Sequence, residues 1–177
     1  MKAFAQLYAE LDATTSSNAK LAAMQDYFAQ AAPEDAAWAV YFLSGGRPRQ
    51  LVPVRVLREL AVAYSGLSPW LFEESYQAVG DMAETISLVL PEMPYRSNYG
   101  LAVWIEEKLL PLRGESPQVL AERLPVLWSQ LDRPSLMLCI KLITGSFRVG
   151  VSKLLVTRAL AAMAQLDSKR VAQRMVG

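Results

Sequence analysis

Histidine is absent from this 177-residue chain, and cysteine occurs once. Without His the chain lacks the side chain that most often serves as general base, nucleophile activator and transition-metal ligand. A zinc centre and a Ser–His or Cys–His hydrolase site are therefore without their usual residues. The lone Cys139 cannot form an internal disulfide. Its place in the run Leu136-Met137-Leu138-Cys139-Ile140 reads as a buried free thiol in a reducing compartment. No uninterrupted apolar stretch approaches the roughly 18 residues of a membrane span, and the opening Met1–Gln6 breaks its apolar pattern before a secretion signal can form. A cytoplasmic protein without membrane attachment is expected. An excess of either charge is missing as well: 18 basic residues stand against 17 acidic ones. That balance neither demands nor excludes a nucleic-acid partner, which depends on how charge is distributed. Two motifs are lacking too. There is no Gly-x-x-x-x-Gly-Lys-Ser/Thr phosphate loop, and none of the six lysines (Lys2, Lys20, Lys108, Lys141, Lys153, Lys169) lies in Lys-x-Asp-Gly.

Period-2 alternation of useful length is also missing, and helical periodicity fills the chain. Phe4, Leu7, Tyr8 and Leu11 follow the i, i+3, i+4, i+7 spacing of one buried helix face. The stretch Asp12–Ser17 breaks that helix and offers N-caps for a second, from about Asn18 to Gln30, striped by Leu21, Met24, Tyr27 and Phe28. Pro33-Glu34-Asp35 opens a third with proline in the first turn and carboxylates at the positive dipole end. Ser68-Pro69, Ser116-Pro117 and Asp167-Ser168 repeat such openings, the last leading through Val171 and Met175. One long loop runs from Pro91 to Tyr99. The expectation is an all-α fold of about ten to twelve short helices in one compact domain over residues 1–177, built from two pseudo-two-fold-related halves.

Those halves are suggested by an internal echo. Phe42-Leu43-Ser44-Gly45-Gly46-Arg47 is answered one hundred residues on by Leu142-Ile143-Thr144-Gly145-Ser146-Phe147-Arg148. The following helices match as Val56–Ala61 against Val156–Ala161. Each unit reads as helix, small glycine-bearing turn, arginine, helix, which suits a ligand with near two-fold symmetry such as duplex DNA around a break.

These turns are the strongest candidates for function. In Thr144–Ser152, glycine lets the backbone approach a phosphate or take φ > 0, and Gly150 is expected to hold a conformation closed to β-branched residues. Ser152 can cap the next helix, which begins with Lys153 and whose first N–H groups attract anions. Arg148 supplies charge. The alternative is structural: Gly145 as a helix C-cap and Gly150 as a plain tight turn. Ser44-Gly45-Gly46-Arg47-Pro48-Arg49 follows the same logic, with a solvated basic loop as its alternative. Arg outnumbers Lys 12 to 6, which favours forked phosphate contacts. Gly80-Asp81 reads as a break between helices, Asp81 capping and Glu84 completing a capping box. Trp38, Trp70, Trp104 and Trp128 sit at helical spacing and read as core, or else as partly exposed anchors of a helical protein-binding scaffold.

Several stretches together resemble the amino-terminal domain of bacterial ATP-dependent DNA ligases. They are Ala3–Tyr8, Asp35–Gly45, Trp70–Tyr76, Val79–Ile86 and Lys141–Ser152, in the expected order along nearly the whole chain. The Gly-x-x-Arg-Val-Gly loop is also similar to that of larger archaeal and eukaryotic ligases, where an aliphatic residue often stands in the place of Phe147. The resemblance implies an all-helical module that grips the minor groove on both sides of a nick through backbone and sugar contacts, independent of sequence, in the bacterial nucleoid. It implies DNA-contacting roles for Ser44, Gly45, Gly46, Arg47, Arg49, Gly80, Thr144, Gly145, Ser146, Arg148, Gly150, Ser152 and Lys153. It also implies an adenylation domain and an oligonucleotide-binding-fold domain downstream, with ATP and Mg²⁺ belonging to the parent enzyme. On this reading the chain is a monomeric fragment ending at Arg174–Gly177, near the expected linker. It would have no catalytic residue or cofactor of its own, and its partners would be nicked DNA and its parent's adenylation domain.

Overall fold

The computed structural model describes residues 1–48, 50–91 and 99–163. Arg49, the interior of the Pro91–Tyr99 loop, the helix expected after Asp167 and the Arg174–Gly177 end lie outside them. Among the described residues the chain is all α, with ten α-helical segments and no strand.

The residues cluster into two compact units. The first comprises Met1–Ala5 and Arg47–Phe147. It holds α4 (Val54–Ser65), α5 (Pro69–Val79), α6 (Met82–Val89), α7 (Leu101–Val103), α8 (Pro117–Trp128) and α9 (Arg133–Thr144). The second comprises Gln6–Gly46 and Arg148–Gly177. It holds α2 (Ser17–Gln30), α3 (Pro33–Leu43) and the last described helix, α10, over 153–163. Helix α1 (Lys2–Asp12) runs from the first into the second, and its stripe of Phe4, Leu7, Tyr8 and Leu11 is buried as the spacing requires.

In the first unit α9 is the central element and packs chiefly against α6. Leu136, Leu138, Cys139, Ile140, Leu142 and Ile143 are all buried, so apolar side chains surround the helix on nearly every face. Burial pushes the Cys139 thiol up to about 12, so it stays protonated and packs as a small apolar group. Phe72, Trp104, Leu109 and Leu124 complete this core. Helix α7 continues into a π-helical segment (Trp104–Leu109) and a 3₁₀ turn (Leu110–Leu112). Pro111 explains the ending: it has no N–H to donate, and its ring clashes with the carbonyl four residues back.

The helix starts follow local chemistry. Ser16, Ser116 and Asp132 each accept a hydrogen bond from the backbone N–H three residues on, at 3.2, 3.3 and 3.0 Å. Pro33, Pro69 and Pro117 occupy first turns, although the Ser68 side chain makes no capping bond. The tryptophans divide: Trp104 and Trp128 are buried, Trp38 is half-buried and stacks on Phe42, and Trp70 is 68 % exposed.

Candidate nucleic-acid interface

The turn after α3 and the turn after α9 are closed by the same bonds, one hundred residues apart. Gly46 N–H donates to Tyr41 O at 2.8 Å and Gly45 N–H to Phe42 O at 3.1 Å. Ser146 N–H donates to Lys141 O at 2.9 Å and Gly145 N–H to Leu142 O at 3.3 Å. Both are C-terminal caps with a left-handed glycine, Gly45 at φ +93° and Gly145 at φ +73°. The echo is thus real in local structure, and capping accounts for both glycines. After the turns the register slips. The buried pair Val56, Leu57 on α4 corresponds to Leu155, Val156 on α10, so the letter match of Val56–Ala61 with Val156–Ala161 is one residue out of burial register.

Within the first unit the segments flanking the two turns meet, since Leu51 N–H donates to Ile143 O at 3.0 Å. Arg47 is exposed, Pro48 follows it, and Leu51 and Val52 are buried beside the end of α9. Thr144 Oγ1 donates to Ile140 O at 2.8 Å and lies 2.9 Å from Ser146 Oγ, so the two hydroxyls are tied while Ser146 stays exposed. Phe147 is buried and stacks on Phe4 with ring centroids 5.8 Å apart. An aromatic ring here anchors the turn by its face.

Residues 148–152 belong to the second unit. Arg148 is exposed, and Ser152 caps α10 by accepting from Leu155 N–H at 3.1 Å, with Lys153 exposed behind it. Gly150 corrects its expectation: it lies outside the left-handed region, and a Cβ there would meet only Lys20 Nζ, at 3.3 Å. The residue that must be glycine on steric grounds is Gly46, where a Cβ would fall 2.5 Å from Tyr41 O and from its ring.

Gly80 is exposed and serves as the C-cap of α5, with φ +81° and its N–H on Tyr76 O at 2.7 Å. Asp81 caps α6 by accepting from Glu84 N–H at 2.8 Å. Sequence offered it no basic partner nearby, but the fold supplies Lys141, whose Nζ lies 3.0 Å from Asp81 Oδ2 across 60 residues. Burial pushes the Asp81 carboxyl up; the Glu84 N–H, the Lys141 hydrogen bond and charge, and the Ala83 N–H together outweigh it and hold the group below the usual carboxylate range.

Charge is used differently in the helices and in the turns. Arg55 pairs with Glu59, Arg58 with Glu73, Arg123 with Glu115 and Lys141 with Asp81. Among the described residues no carboxylate lies in ion-pair range of Arg47, Arg148 or Lys153. These cations stay open to an anionic ligand. No group of three or more Cys, Asp and Glu that could hold a metal ion converges among the described residues. None of the described helices is long and apolar enough to cross a membrane.

Positive charge exposed after glycine-bearing turns admits anionic ligands of many classes. Comparison with known families makes the assignment narrower. The family model described as DNA ligase N terminus matches residues 1–161, and the chain belongs to this family, the N-terminal domain of ATP-dependent DNA ligases. No individual curated protein matches the chain. Membership gives the chain a role in DNA ligase function, with DNA and the other ligase domains as its class of partners.

Proposed function

We propose that the chain grips nicked duplex DNA through the minor groove and the phosphate backbone, without reading sequence. It would position the break for ATP-dependent sealing by downstream domains in replication, repair and recombination. The observation that carries this reading is the pair of equivalent helix caps, each followed by an exposed arginine, Arg47 and Arg148, with no carboxylate in ion-pair range among the described residues. A helix C-cap presents carbonyls, which disfavour a phosphate, so the part the caps play on this reading is to aim the chain. They turn the chain sharply and present the arginines that follow. The catalytic contribution is positional: holding the 5′-phosphate and 3′-hydroxyl ends aligned lowers the entropic part of the barrier for a reaction done elsewhere. ATP and Mg²⁺ belong on this reading to the adenylation domain, and the place of work is the nucleoid of a bacterial cytoplasm.

A salt titration tests the proposal. If about four to six phosphates are neutralised, log K falls against log salt with a slope of roughly −4 to −5, alike for unrelated sequences. Salt-insensitive binding, or none at low salt, rejects it. Labelled ATP with Mg²⁺ should leave the chain unmodified, because no lysine sits in the nucleophile motif of a lysine–AMP bond; a stoichiometric adduct contradicts the assignment. One observation favours a second reading, a helical protein-binding scaffold: Trp70 is 68 % exposed and Leu71 beside it 38 %. Trp70→Ala should leave DNA affinity unchanged on the first reading.

A further inference from the structure

Lys20 stands on α2, in a stretch that no glycine or arginine motif marks, yet it reaches the 148–152 turn. Its Nζ donates to the Gly150 carbonyl at 2.5 Å across 130 residues, and both residues belong to the second unit. Gly150 is the middle residue of a three-residue turn closed by Val151 N–H on Val149 O at 2.8 Å. One hydrogen bond gives such a turn little stiffness, and the lysine supplies a second tether. Because Gly150 has no side chain, the seat of the ammonium stays open, a Cβ there falling 3.3 Å from Nζ. Among the described residues no carboxylate neutralises Lys20, as none neutralises Arg148 or Lys153. An ammonium has three donors, and the carbonyl takes one.

We infer that Lys20 is a further DNA-contacting residue: it fixes the 148–152 turn through Gly150 and offers its remaining N–H donors to a backbone phosphate bound at that turn. The inference rests on the DNA-gripping reading above. A phosphodiester oxygen is the matching ligand, since a compact ammonium recognises phosphate as a point charge and needs no particular base.

The test uses the whole chain, a fluorescently labelled nicked duplex and anisotropy at several KCl concentrations, for wild type, Lys20→Met, Lys20→Arg and Arg148→Ala. Amide exchange at Val151 is followed by NMR without DNA. Lys20→Met should weaken binding about five- to tenfold, lower the salt slope by about one and speed Val151 exchange. Lys20→Arg should recover most of the affinity and the slope, and it carries the test should the methionine variant unfold. Wild-type affinity and slope in Lys20→Met, with wild type itself binding, overturns the inference and leaves the DNA reading standing. Weaker binding with an unchanged slope overturns the phosphate contact and leaves the tether. Absence of wild-type binding overturns the DNA reading itself and the phosphate role with it, and Val151 exchange then decides the tether alone.

Discussion

The turn after α3 and the turn after α9 share a backbone and its closing hydrogen bonds and differ in the side chains around them. At the third position from the first cap, Tyr41 is 41 % exposed and lies edge-on to Trp38 at 5.8 Å. At its counterpart Lys141 is buried and paired with Asp81. Gly46 closes the first turn by letting the backbone lie directly on Tyr41. Ser146 closes the second with a side chain present and its hydroxyl tied to Thr144. Arg47 leaves the first turn at once into solvent, whereas Phe147 roots the second against Phe4 before Arg148 emerges. One hydrogen-bonded cap can therefore be backed by close backbone packing or by anchored side chains, and the two should fail under different mutations.

The largest effect should come from making the turns alike. Gly46→Ser puts a Cβ where Tyr41 O stands 2.5 Å away and should cost about 2–4 kcal/mol, because backbone must move. The reverse exchange, Ser146→Gly, should cost only about 0.5–1 kcal/mol through chain entropy. Urea midpoints decide the matter, and equal costs for the two would erase the proposed difference.

Asp81→Ala removes both the α6 cap and the tie to Lys141 and should cost about 1–2 kcal/mol. Asp81→Asn keeps a cap and should cost less. The folded pKa of Asp81 is depressed, so its contribution is full above the unfolded carboxylate value and is lost as pH falls through the folded one. Acid titration of stability in Asp81→Asn should accordingly be flatter below about pH 4. A wild-type slope there would show that the Lys141 pairing contributes nothing.

Arg47→Ala and Arg148→Ala should each weaken DNA binding by around 1 kcal/mol and flatten the salt slope by about one, with the double variant near the sum. Native helicity with undiminished affinity in the double variant would reduce both turns to plain caps and move the DNA surface elsewhere. The smallest effect should be Gly150→Ala, within about 0.5 kcal/mol of wild-type stability, since only the flexible end of Lys20 has to shift. A loss as large as that of Gly46→Ser would mean that the 149–151 turn is closed by steric contact as well.

Much of this molecule is legible in advance because helix ends are local events. Ser16, Ser116 and the prolines at 33, 69 and 117 act within their own first turns, and the left-handed glycines at 45, 80 and 145 act within their own last ones. The recurrence of one cap at 42–46 and 142–146 could be read from residue letters for the same reason. The candidate site was legible only in part. Arg47, Arg148, Ser152 and Lys153 lie where the motifs put them, and Ser152 caps as expected. Lys20 carried no signal, because a lone lysine on an amphipathic helix looks like any solvated charge. The misread glycine has a similar origin: Gly46 and Gly150 are indistinguishable as letters, and only the position of Tyr41 or Lys20 separates a rigid obstacle from a yielding one.

The sequence by itself determined the all-helical class, the helix starts and stops, and a pair of arginine-bearing turns. These depend on interactions within about four or five residues, which backbone chemistry makes the same in any context. Tertiary structure alone decided that Leu51 binds Ile143, that Asp81 finds Lys141, and that Lys20 reaches Gly150. Each of these joins groups far apart in the chain, and no local pattern encodes such a distance. Burial of α9 against α6 brings Lys141 to Asp81, and a buried cation then needs a partner wherever the chain can supply one.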